Sequence, residues 1–170
     1  MSYERAWLLG GLGVAALAFV ASRTDRGRAI AADVVGAAVN ALTPRGIRNN
    51  NPGNIEWIDD ARKRWRGMVA RDGRYGIFDT PANGVRAIGG EIRANFRRGE
   101  NTLRAILSEW APPSENDTES YIRHAERELN VHRDMPLSST HIPAIAAVII
   151  AHENGVQPYK LDDVVDWVNS

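Results

Sequence analysis

Residues 143–153 read PAIAAVIIAHE, an unbroken apolar run closed by His152 and Glu153. A helix that is apolar all round has no face to give to water, so it must lie buried in a globular core. Ser138-Ser139-Thr140 supplies its N-cap, Pro143 suits its first turn, and Gly155 ends it. The rest of the domain has to wrap this rod.

Helical signals surround it. Thr80-Pro81 opens a helix that runs to about Arg98, where Gly99 stops it. A second helix covers Thr102 to Trp110 and ends before Pro112-Pro113. Asp117 caps a third, with Tyr121, Ala125 and Leu129 on one face. A last amphipathic helix spans Leu161 to Val168. Residues 45–79 differ: Gly, Asn and Asp separate short apolar runs, and loops with a few short strands fit best. The expected strands are Ile55-Glu56-Trp57, Gly67-Met68-Val69 and Tyr75-Gly76-Ile77-Phe78. Arg71-Asp72-Gly73-Arg74 carries hairpin-turn chemistry. The expected fold is mainly α (α+β), with a small β or loop-rich lobe, over residues 43–170.

Residues 1–42 read as a separate apolar segment. Ala6 to Ala21 contains no charge, and its 16 residues fall just short of the roughly 20 that a spanning helix needs. A signal peptide, a short membrane anchor and a helix packed inside a virion all fit, and an uncleaved membrane-associated segment is favoured. Residues 27–42 extend as an Ala/Val-rich helix that Thr43-Pro44 ends.

Lys+Arg and Asp+Glu both count 21 in the 170 residues, so the basic excess of a nucleic-acid binder is absent. Arg62-Lys63-Arg64 and Arg97-Arg98 read as solvated surface. Without cysteine there are no disulfides or thiolate metal sites. The four His show no His-Glu-x-x-His spacing, and neither a nucleophile elbow nor a phosphate loop occurs, so no metal or cofactor is expected.

Chemistry concentrates in three places. Glu153 ends the apolar helix, where apolar neighbours and the negative end of the helix dipole both disfavour its charged form. A general acid working near neutral pH needs that shift. Arg48-Asn49-Asn50-Asn51-Pro52-Gly53-Asn54-Ile55 is a stiff turn whose amides suit sugar hydroxyls and acetamido groups, although plain turn chemistry explains any single Asn. Trp110-Ala111-Pro112-Pro113-Ser114-Glu115-Asn116-Asp117-Thr118 is rigid and mixed in chemistry, as a groove wall would be. The site residues expected are Glu153 as catalytic acid, with Asn50, Asn51, Asn54, Trp110, Glu115, Asn116, Tyr121, His152 and Asn154 around the substrate.

These residues also form ordered motifs: Gly46-Ile47-Arg48-Asn49-Asn50-Asn51-Pro52-Gly53-Asn54-Ile55, then Gly84-Val85-Arg86-Ala87, then Trp110-Ala111-Pro112-Pro113 with Glu115-Asn116-Asp117-Thr118, then His152-Glu153-Asn154-Gly155. In that order they resemble a phage and prophage family usually labelled structural protein P5, after a virion lysin of an enveloped double-stranded RNA phage. The resemblance covers roughly residues 45–160. It implies a muralytic protein of lysozyme or lytic-transglycosylase-like fold. In lysozyme-like enzymes a buried helix carrying the catalytic Glu precedes the part that the Asn motif resembles. Here the order is rotated, and no Glu lies in a helix before the Asn motif. A circularly permuted lysozyme-like domain is therefore expected, with Glu153 within about two helix turns (~11 Å) of Asn51.

The expected function is cleavage of the peptidoglycan glycan strand by a phage or prophage lysin. Its expected location is the virion or the host cell envelope, with peptidoglycan as partner. The membrane, through residues 6–21, and other virion proteins are further expected contacts. A second carboxylate would come from Glu56, Asp59, Asp60, Glu115 or Asp117, with Glu115 marginally preferred, but a single-Glu scheme fits better. The rivals are a peptidoglycan endopeptidase and a non-catalytic virion structural or glycan-binding protein.

Overall fold

The computed structural model describes residues 25–112 and 117–170. The chain divides after Thr43 into two units. The first holds α1 (Asp25–Leu42), on which Val34, Val39 and Leu42 are exposed. Thr43 closes it through its backbone N–H and its hydroxyl, both donating to the Val39 carbonyl at 2.9 and 2.6 Å. The apolar segment 6–21 lies outside the described residues. Among those residues no helix is long and apolar enough to cross a membrane.

The second unit, Pro44–Ser170, begins with a single helical turn, α2 (Arg45–Arg48), in a stretch expected to be loop. A hairpin follows, β1 (Met68–Asp72) and β2 (Tyr75–Phe78), antiparallel with Asp72 opposite Tyr75. Gly73 takes the left-handed conformation at the turn (φ +61°), as a two-residue hairpin loop requires. The expected strand at Ile55–Trp57 reduces to one bridge, Glu56 to Tyr75. Only two backbone bonds hold it beside β2, from Gly76 N–H to Ile55 and from Trp57 N–H to Arg74.

The helices follow their caps. α3 (Pro81–Arg97) starts at Thr80, whose hydroxyl accepts the Asn83 N–H. α4 (Leu103–Trp110) is capped by Thr102, and α5 (Thr118–Leu129) by Asp117. A short 3-10 turn, Ser139–His141, leads into α6 (Ile142–Asn154), and α7 (Leu161–Asn169) follows.

α6 is the central rod. It packs against α2, α3, α5 and α7. Ile142, Ile145, Ile149 and Ile150 are each at most 1 % exposed. Each such side chain stabilises the fold by about 1.5–3 kcal/mol relative to exposure. This burial carries the end of α6, and Glu153 with it, to a defined place.

Candidate active site

The Asn-rich turn is fastened before it can bind anything. Asn51 is 1 % exposed; its amide donates to the Ile55 and Gly76 carbonyls at 2.8 Å each, and its Oδ1 accepts the Ile55 N–H at 2.9 Å. Asn50 donates to the Phe78 carbonyl at 3.0 Å, and Asn49 to the Asp72 carboxylate at 2.9 Å. Asn50 and Asn54 both sit at positive φ, which Asn tolerates better than other side chains. Gly84 completes the seat: a Cβ there would collide with the Asn50 carbonyl oxygen.

Asn154 ties the turn to α6. Its amide donates to the Pro52 carbonyl at 2.7 Å and to the Ile150 carbonyl at 2.8 Å, both in the interior. Asn51 and Asn154, expected to contact substrate, each donate twice to backbone carbonyls and act as fasteners, while Asn50, expected there too, donates once. Tyr121 is also core. It is 1 % exposed and its ring stacks on that of His152, with centroids 3.6 Å apart. Burial, and secondarily the Glu153 charge, hold its hydroxyl well above the ordinary tyrosine range.

Asn54 alone of the cluster turns its amide to the acid. It donates to Glu153 Oε2 at 2.8 Å, so Glu153 stands beside the Asn turn. Burial pushes the Glu153 carboxyl up, and the Asn54 bond partly opposes that shift. The placement at the last turn of α6 acts in the same direction as burial, through the helix dipole.

Three cavities meet around this pair. The one holding Glu153 has a volume of about 550 Å³ and is walled by Arg45, Asn54, Arg74, Tyr75 and Trp110. A second, sharing Asn54, Arg74 and Trp110, extends past Glu56, Glu91, Asn95 and Glu109. A third, sharing Glu153, runs past Asp117, Ser120, Tyr121 and His152. Together they make a groove with Glu153 in its middle part. Trp110 forms the wall between two of them. Its Nε1–H donates to the Gly53 carbonyl at 3.1 Å, and its ring lies so close to Gly53 that a Cβ would not fit.

His152 is exposed at the third cavity, with its Nδ1 3.4 Å from that of His124. Burial of its ring, then the His124 charge, depress its pKa. Glu115 and Asn116 lie outside the described residues. Among the other carboxylates considered, Glu56 and Asp117 line flanking cavities. Asp59 accepts from Trp57 and Asp60 binds Arg62, and neither lines these cavities. Arg45, Arg74 and Tyr75 were not expected at the site. They come from α2 and the hairpin, and only the packing of those elements brings them together.

Fold and groove define a small, mainly helical domain with one desolvated carboxyl held by an amide in a cleft. No family model matches the chain. It is similar to protein P5 of Pseudoalteromonas phage PM2, at 36 % identity over 124 residues, which is 71 % of this chain and 77 % of that protein. The chain belongs to the family of this phage protein.

Proposed function

We propose that this protein is a phage lysin that cleaves the glycan strand of peptidoglycan, acting from the virion or at the host envelope, with Glu153 as general acid. The observation that carries this reading is the Glu153 carboxyl itself. It is desolvated, raised in pKa, bonded to Asn54, and set in the middle of a groove. A general acid requires a carboxyl that keeps its proton near neutral pH beside an open substrate path.

The Asn54 amide fixes where the proton sits. A protonated carboxyl accepts best at its carbonyl oxygen, so the N–H at Oε2 leaves the proton on Oε1. From there it passes to the glycosidic oxygen as the C–O bond breaks. Among the described residues Glu153 is the only acid in the cavity that it shares with Asn54 and Trp110, and Asp117 lines the adjoining one. That favours the single-carboxylate course. The substrate's own hydroxyl attacks the oxocarbenium-like carbon, and its proton returns to the Glu153 carboxylate. A lysozyme-like domain in permuted order accounts for a catalytic helix that follows, rather than precedes, the Asn turn beside it.

The test is mass spectrometry of soluble products from purified sacculi treated with the full chain and with Glu153→Gln. Anhydro-sugar ends made by the wild type and lost in the variant support this reading. Reducing ends would point to a hydrolase with a second carboxylate. Released peptide stems would overturn glycan cleavage, and retention on sacculi without products would indicate a binding protein.

A further inference from the structure

We propose that the Arg45–Arg74 end of the Glu153 cavity binds a carboxylate carried by the substrate close to the scissile bond. The inference rests on the glycan-cleaving reading and names the feature that selects its substrate: an anionic rather than a neutral glycan.

The cavity around Glu153 has an unusual charge balance for a chain whose charges otherwise cancel. Its walls carry two guanidinium groups, Arg45 and Arg74, against the carboxyl of Glu153, and Glu56, which pairs with Arg74, lines the adjoining cavity and leaves one positive charge in excess when Glu153 is neutral. In its acid form Glu153 is neutral, so the cavity is then cationic. Burial raises the Glu153 pKa and the Asn54 hydrogen bond opposes that rise. The two cations share one cavity with the acid and present positive charge to whatever lies beside it.

Both guanidiniums are held in place. Arg45 lies over the Tyr75 ring with its guanidinium carbon 4.2 Å from the centroid, and Arg74 lies at 5.1 Å from the same centroid. Arg74 is also steered by Glu56, Nε to Oε1 at 3.2 Å. Tyr75 is fixed in turn by its place in β2, opposite Asp72. Two planar, partly immobilised forks on one aromatic platform suit the bidentate geometry of a carboxylate. Both arginines are exposed, so replacing them leaves the core intact.

A peptidoglycan carboxylate can come from the peptide stem or, in stem-free strands, from the lactyl group of the sugar. Binding of four probes to the full-chain Glu153→Gln protein separates these sources. They are a disaccharide-peptide fragment, the same fragment with its carboxylates methyl-esterified, a stem-free glycan fragment with a free lactyl carboxylate, and a neutral chito-oligosaccharide. The disaccharide-peptide should bind at least about tenfold tighter than its ester, the scale of one charge-assisted bidentate contact. The gap should close when Arg45→Gln and Arg74→Gln are added. Tight binding of the stem-free fragment assigns the lactyl carboxylate, and weak binding assigns the stem. Equal binding of fragment and ester, no binding of the fragment, or a gap that survives both arginine substitutions would overturn the site. Undiminished sacculus cleavage by Glu153→Gln, with the ester gap intact, would instead overturn the catalytic reading and leave the carboxylate site standing.

Discussion

The side-chain amide of Asn54 and the carboxyl of Glu153 meet at 2.8 Å across 99 positions of sequence. The contact joins a half-buried turn residue to the end of a buried helix. It is the one polar bond that opposes the rise in the Glu153 pKa.

Removing that bond should move the acid further up. In Asn54→Ala burial is unopposed, so the Glu153 pKa rises, and the alkaline limb of kcat/KM shifts to higher pH with it. The maximum rate should fall, because the proton is no longer directed to one oxygen. A pH–rate profile on labelled sacculi checks both; an alkaline limb that stays put or moves down contradicts the assignment.

Glu153 should also cost stability. Its folded pKa lies above its unfolded value, so the stabilising effect of the neutral form is complete below the unfolded pKa. It is lost as pH rises through the folded pKa. Glu153→Gln should therefore have a higher Tm than the wild type at pH 8 and a smaller advantage at pH 4. Thermal melts at the two pH values decide it.

The opposite sign applies to Glu126. Hydrogen bonds from the Arg133 side chain and backbone pull its pKa down to about 2. That contribution is present above the unfolded carboxylate range, and is lost as pH falls toward about 2. Arg133→Gln should lower Tm at pH 7, with the difference from wild type shrinking on acidification. A constant difference down to pH 2 would contradict the pairing.

Asn51 should behave as a fastener. Asn51→Ala takes the acceptor from the buried Ile55 N–H and a side-chain donor from the Gly76 and Ile55 carbonyls, of which Ile55 keeps the Gly76 N–H. Each buried group left unpaired costs about 1–3 kcal/mol. Denaturant titration should show a loss of several kcal/mol, while KM for sacculi, measured where the variant is folded, stays near the wild-type value. A raised KM with unchanged stability would restore Asn51 to the substrate.

Gly84→Ala tests the seat under the Asn turn. The added methyl meets the Asn50 carbonyl, which is backbone and cannot swing aside. Overpacking of this kind costs about 1–3 kcal/mol. It should also displace Asn54 from Glu153, so stability and activity should fall together. Full stability in melts would show that the helix can shift away.

What was legible in the sequence was local. Thr80, Thr102, Asp117 and Gly155 act where their side chains or φ angles predict, because caps depend on neighbours three or four residues away. The burial of α6 followed from its composition alone. The roles of individual asparagines did not. Asn51 is spent on Gly76, 25 positions away, and Asn154 on Pro52, 102 positions away. An amide that suits a sugar suits a carbonyl equally well, so only the packing separates Asn54 from its neighbours. Tyr121 and Ala125, expected on one face of their helix, are both buried, and Tyr121 still lines the third cavity. Arg74 was read only as a turn residue. Its second role depends on Arg45 reaching the same ring from another element.

The account stands on Glu153 as the acid. The direct measurement is the rate at which full-chain protein and Glu153→Gln release dye from labelled sacculi, with melts confirming that both are folded. The account predicts a loss of about 10²-fold or more, the usual contribution of a general acid. Equal rates from two folded proteins would contradict it.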